Sequence, residues 1–179
     1  MEDFSKKINR FRYNSPNEII NTLVASIDNY FIRTELEIAC KEKCFNLLFI
    51  GIHAVAETIS EGIYGKDGLN GFKFYLENFV DGRNQNDQFS KIVKDINDWR
   101  NILIHQWLSK KGCYFGYNPT MVEGWKRDKE ILYLNPISYF EHFKKGFKTG
   151  GMIWNYQKLL NINGQQKAKE RLLKKFLRE

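Results

Sequence analysis

The sequence predicts a mainly α-helical chain: a helical bundle with a small β-hairpin or irregular insert near residues 113–134. Three observations carry this expectation. Helix-start signals recur at Ser15-Pro16-Asn17-Glu18, Thr34-Glu35-Leu36-Glu37 and Asn135-Pro136, where a capping side chain precedes a residue suited to a first helical turn. Apolar residues repeat at three- and four-residue spacing through 36–59 and 89–107, the period of a helix with one buried face. Proline occurs only at 16, 119 and 136, and two of these stand at expected helix starts.

Taken in order, Ser15 caps a helix running to about Phe31, with Glu18 closing a capping box. Thr34 opens a second, longer helix through Leu36, Cys40, Leu47, Leu48, Val55 and Ile59 to about Tyr64, where Gly62, Gly65 and Gly68 break it. Gly71 to Val80 (GFKFYLENFV) is a short aromatic helix, and 81–87 a polar loop. Gln88 to about Lys111 forms the next helix, stopped by Gly112. Cys113–Tyr117 and Ile131–Leu134 are short β-prone runs. Pro136 starts a helix through Phe147, disturbed at Gly150-Gly151 and continuing to about Leu160. After a linker at Asn161–Gly164, Gln165–Arg178 is a basic amphipathic helix with Leu172, Leu173, Phe176 and Leu177 on its apolar side. The domain reading is one helical domain over 1–160, extended by a basic C-terminal helix over 161–179.

Composition narrows the function classes. The 179 residues are 42% hydrophobic and 15% aromatic, enough for a real core and unlike a disordered chain. No apolar run reaches the roughly 18 residues a membrane helix needs, and the opening MEDFSKKINRFRYNS has no apolar stretch of a signal peptide. The expectation is a cytoplasmic protein with no membrane partner. Cys40, Cys44 and Cys113 form no disulfide framework, and the pair four apart reads as core thiols. No cofactor and no metal are expected. The formal charge is +7, but it is concentrated. Ten basic and two acidic residues follow residue 143, a net +8 against −1 for everything before. That tail is either a solvated lysine face or an attractor of phosphate backbones.

The segment 89–108 holds the chemistry. On a helical wheel, Phe89, Ile92, Val93, Ile96, Trp99, Leu103 and Trp107 share one apolar face. Asn101 and His105 are four apart on the opposite side with Asp98, flanked by Ile102 and Leu108. Those two apolar residues suggest that the outer side meets something too, most simply a second subunit. Arg100 sits at the edge of the core stripe, about 140° around the helix from His105. One helix aims the two poorly at a single atom. Two copies packed antiparallel about a two-fold axis bring both into one cleft.

Arg100-Asn101 followed by His105, with four residues between arginine and histidine, resembles the RNA-cleaving signature of the HEPN (higher eukaryotes and prokaryotes nucleotide-binding) family. The order EGIYGKDGLNG, FKFYLENFV and then this helix is similar to that of small bacterial HEPN proteins, over about residues 35–118. The resemblance implies a HEPN-like helical bundle and metal-independent endoribonuclease activity, that of a toxin or defence effector. It implies RNA as substrate, a homodimer through the motif helix and an antitoxin as a possible protein partner. His105 would be general acid/base, Arg100 would stabilise the phosphorane, and Asn101 would position one of them. Histidine titrates near neutrality and arginine grips phosphate with a planar, permanently charged fork. Lys110 and Lys111, at the end of the same helix, are candidate RNA contacts.

Competing readings stand beside each residue. Arg100 could be a helix-edge ion pair with Asp95, Asp98 or Glu61, and His105 and Asn101 interface contacts. His53 and Glu57, four apart, read as a hydrogen-bonded core histidine before an acid-base pair. His142 reads as exposed, and Trp107, Trp125 and Trp154 as packing residues before base-stacking ones. Two further functions remain open: a non-catalytic HEPN-like module binding a protein, nucleotide or nucleic acid, and a nucleic-acid binder working through its basic C-terminal helix.

Overall fold

The computed structural model of the chain describes residues 15–81, 87–105, 114–148 and 150–177, with only the backbone of His105, Phe176 and Leu177. It is mainly helical with a small three-stranded sheet. Ser15 accepts from the Glu18 amide while the Glu18 carboxylate accepts from the Ser15 amide, so the expected capping box starts α1 (Pro16–Ser26).

The second expected start is absent. The helix continues from α1 through wide π-helical turns at Ile27–Leu36 into α2 (Glu37–Lys41). Thr34 is inside it, donating its hydroxyl to the Tyr30 carbonyl, a competing use of a threonine that would otherwise cap. Asp28 and Arg33 pair across the wide turn at 3.0 Å. The break falls later, at Lys43, whose φ of 57° takes the chain out of the helix before α3 (Phe45–Gly62). Cys44 at that break is exposed and Cys40 half-buried, so neither is the core thiol expected.

α3 is the central element. Leu48, Phe49, Ile52, Val55, Ala56 and Ile59 are buried along it. It packs against α4 (Gly68–Tyr75), α5 (Val93–His105), α6 (Pro136–Phe147) and α7 (Ile162–Leu177). Gly71 lets α4 approach: a Cβ there would lie 2.2 Å from the Lys66 carbonyl oxygen. Further π-helical turns at Leu76–Val80 complete the aromatic segment. Asp81 then accepts from the Phe89 amide at 2.7 Å and from the Ser90 amide, capping the 3-10 turn Phe89–Ile92 that leads into α5. Of the expected core stripe, Phe89, Ile92, Ile96 and Leu103 are buried and Val93 and Trp99 partly so; Trp107 lies outside the described residues.

The insert is more than a hairpin. β2 (Trp125–Asp128) and β3 (Ile131–Leu134) pair antiparallel through a turn at Lys129, whose φ is 52°. β1 (Phe115–Tyr117) adds parallel to the far edge of β3, giving the order β1-β3-β2. Alternation along β3 buries Leu132 and Leu134. The charged run Lys126-Arg127-Asp128 hides β2 from pattern reading, since its residues are exposed.

Asn135 caps α6 by accepting from the Ile137 and Ser138 amides, as expected. Helix does not continue to Leu160. Gly150, at φ 80°, turns the chain, the Trp154 indole donates to the Phe147 carbonyl, and only a 3-10 turn at Tyr156–Lys158 follows. α7 begins earlier than expected because Asn161 accepts from the Gly164 amide. Ala168 and Leu172 bury its apolar side against α1 and α3, and Arg171 donates to the Gly62 and Ile63 carbonyls that end α3. Among the described residues no helix is long and apolar enough to cross a membrane.

Candidate functional site

α5 carries Arg100 and Asn101 on its middle turns, and its last described residue is His105. Ile96 and Leu103 bury one side of the helix, which leaves Arg100 at the border facing α3. Its guanidinium is about a quarter exposed and pairs with Glu57 of α3, Nη2 to Oε2 at 2.9 Å. Nη1 donates to the Asn101 side-chain oxygen at 3.0 Å. Two of five N–H donors are thus engaged among the described residues. The expected acidic partners Asp95, Asp98 and Glu61 are not used: Asp95 pairs with Arg127 of β2 at 2.9 Å and Glu61 with Lys175 of α7.

Glu57 bridges two groups. Its other oxygen, Oε1, lies 3.5 Å from Nε2 of His53, one helical turn earlier on α3. His53 is 2% exposed, and its ring stacks on Phe72 of α4 with centroids 4.0 Å apart. Neither ring nitrogen makes a hydrogen bond, so the hydrogen-bonded core histidine expected from sequence is only half right. Burial first, and the positive charge of Arg100 second, hold the imidazole down to a pKa of about 3. It is neutral at physiological pH.

A cleft of about 370 Å³ opens beside this group, lined by Glu57, Glu61, Lys66, Asp67, Phe72 and Lys175. Its charge is mixed rather than the basic lining a nuclease cleft calls for. The sheet roofs the other flank of α5. The Trp99 indole donates to the Tyr117 hydroxyl at 3.0 Å, and Trp99 stacks on Phe115 at 5.1 Å.

The structure therefore brings Arg100 and Asn101 together and adds Glu57 and His53 to them. The backbone of His105 ends α5, and its side chain lies outside the described residues, as do Lys110 and Lys111. Ile102, expected to need an outside partner, is 8% exposed within the single chain; Ile104, at 40%, is the apolar residue α5 leaves open. Leu108 lies outside the described residues. His142 is a correction: it is buried, with Nε2 3.9 Å from Asp87, and burial with Lys145 nearby lowers its pKa. The i, i+4 spacing of His53 and Glu57 was visible in sequence. Their junction with Arg100 was not, because it depends on how α3 crosses α5. No group of three or more metal-ligating side chains occurs among the described residues.

The chain matches no family model, no curated protein and no solved structure significantly.

Proposed function

We propose that the chain is a metal-independent endoribonuclease of HEPN type, acting as a homodimer through α5. The observation that carries the reading is the setting of Arg100. A guanidinium held in place by Glu57 and Asn101, still partly exposed, is a pre-oriented fork for a phosphate. It precedes His105 on one helix by five residues, about 7.5 Å of rise.

In this mechanism His105 takes the proton of the ribose 2′-OH or protonates the departing 5′-oxygen. The 2′-oxygen attacks the adjacent phosphorus, and Arg100 neutralises the charge that grows on the phosphorane oxygens. The 5′-oxygen leaves with a proton, giving a 2′,3′-cyclic phosphate and a 5′-OH. Attack and departure require two proton transfers. A dimer supplies a histidine for each, which is the physical reason to favour two copies of α5 around one RNA strand. Asn101 holds the guanidinium plane; Lys110 and Lys111 extend the phosphate contacts. The reading carries with it a cytoplasmic toxin or defence role and an antitoxin as the regulating protein.

The experiment is incubation of wild type and His105→Ala with RNA in EDTA, followed by analysis of the product ends. Cleavage that needs no metal, leaves cyclic phosphate and falls by about a hundredfold or more in His105→Ala is the expected result. Equal cleavage by the two proteins, or cleavage that EDTA abolishes, rejects the assignment.

The Arg100–Glu57 pair also favours a second reading, a non-catalytic module of the same fold. An arginine already satisfied by a carboxylate has a structural use without any substrate. In that case Arg100→Ala lowers stability and partner binding but no RNA is cut by the wild type.

A further inference from the structure

We propose that His53 is a positioning residue, which braces Glu57, and through it the Arg100 guanidinium, by donating its Nε2–H to Glu57 Oε1. Its consequence for catalysis rests on the ribonuclease reading. The brace itself is a property of the folded chain.

The starting point is a buried polar ring without a partner. His53 is 2% exposed and both its nitrogens lack hydrogen bonds, a costly state for a donor removed from water. A phenylalanine or leucine would fill the space against Phe72 without that cost. The acceptor the ring faces is Glu57 Oε1 at 3.5 Å. Phe72 fixes the ring plane at 26° to its own, so the imidazole has little freedom to seek another. Glu57 is the movable member: its side chain is 37% exposed, and a small rotation shortens the contact to hydrogen-bond length.

Protonation follows from the surroundings. The charged groups facing the ring are Glu57, one turn along α3, and Arg100, from α5. A buried neutral imidazole carries one N–H. With Nε2 towards a carboxylate, the proton belongs on Nε2 and the bare nitrogen is Nδ1.

The division of labour on Glu57 gives the brace its purpose. Oε2 takes Arg100 at 2.9 Å and Oε1 faces His53. A carboxylate held through one oxygen swings about that contact. Held through both, it fixes the plane in which Arg100 presents its remaining N–H groups. Small errors in such a plane are expensive, because an ångström of misplacement costs up to about a hundredfold in rate.

The test uses the full chain and three variants. His53→Phe keeps an aromatic ring against Phe72 and removes both nitrogens. His53→Gln places an amide donor near the reach of Nε2, and His53→Asn near that of Nδ1. In ¹⁵N-labelled wild type, His53 should report the neutral Nε2–H tautomer at neutral pH. The Arg100 Nε–Hε resonance, identified by its loss in Arg100→Lys, should be sharp in wild type and His53→Gln, and broadened in His53→Phe and His53→Asn. In RNA cleavage with EDTA, kcat should fall about ten- to a hundredfold in His53→Phe and His53→Asn with KM little changed, and recover in His53→Gln. An Nδ1–H tautomer, or an Arg100 resonance indifferent to all three substitutions, overturns the brace. Should His53→Phe fail to fold, the Gln and Asn pair decides, since both are polar and differ only in reach. Should wild type not cleave RNA, the ribonuclease reading falls, and the two resonances still decide whether His53 braces Arg100.

Discussion

Trp99 and Tyr117 are joined by a hydrogen bond from indole to hydroxyl at 3.0 Å, which ties the sheet insert to the helix carrying Arg100. Burial pushes the Tyr117 hydroxyl well above its ordinary pKa, so it stays protonated and serves as the acceptor for Trp99. Tyr117→Phe should therefore cost about 0.5–1.5 kcal/mol, the net worth of one such bond. Urea unfolding measures it. A red shift of Trp fluorescence in the folded variant should accompany it, and an unchanged midpoint would mean that stacking on Phe115 alone holds the insert.

Arg171 is the second fastening. Its guanidinium donates to the carbonyls of Gly62 and Ile63, groups that the end of α3 leaves without helical partners. Arg171→Ala should destabilise by about 1–3 kcal/mol, and Arg171→Lys should recover little, because an ammonium cannot span two carbonyls with a rigid fork. Limited proteolysis should cut Arg171→Ala first between 158 and 177. Uncut protein at wild-type rates would show that Ala168 and Leu172 suffice to hold α7.

Acid should unfold the protein partly through His53. Its folded pKa of about 3 lies below the unfolded 6.5, so between those values the unfolded chain binds the extra proton. Its stabilising contribution is complete above pH 6.5 and is lost as pH falls. Asp81, whose carboxyl burial raises, acts with the opposite sign, so the comparison must be made against a variant. The stability difference between wild type and His53→Gln should drop by as much as about 1.4 kcal/mol per pH unit below pH 6.5. Parallel stability curves for the two proteins would show His53 protonating freely in the native state.

Ile104 tests the assembly. It is 40% exposed on α5, between Arg100 and the end of the helix, and a second copy of α5 would cover it. Ile104→Glu should leave thermal unfolding of the single chain within about 0.5 kcal/mol of wild type while shifting a dimer to monomer in light scattering. RNA cleavage should fall with the dimer fraction. A wild type that stays monomeric at all concentrations would remove the two-subunit site.

Much of the helical framework was legible because its signals are local. Ser15 and Asn135 cap as their spacing indicates, and the core stripe on α5 follows from period alone. The failures share a cause. Thr34 carries a correct capping-box spacing, yet its hydroxyl bonds back within a continuing helix and the break moves to Lys43. β2 was invisible because exposed Lys126, Arg127 and Asp128 show no alternation, and its pairing with β3 is what makes it a strand. Arg100 and Asn101 could be singled out from their neighbours in sequence. Glu57 could not be matched to Arg100, since 43 residues separate them and only the crossing of α3 and α5 brings them together. His142 follows the same pattern: its lysine neighbours suggest solvent, while Asp87 and the Phe89 ring enclose it.

One helix, α3, is both the hub of the interior and the support of the candidate chemistry. Leu48, Ile52, Val55, Ala56 and Ile59 alternate along it with His53 and Glu57. Robustness and performance are therefore not separable properties in this chain. A random-mutagenesis screen for lost function should return interior substitutions on that rod about as readily as changes at Arg100, and attempts to stiffen the protein by repacking around Ile52 or Ala56 will shift the aim of a side chain on the helix packed against it.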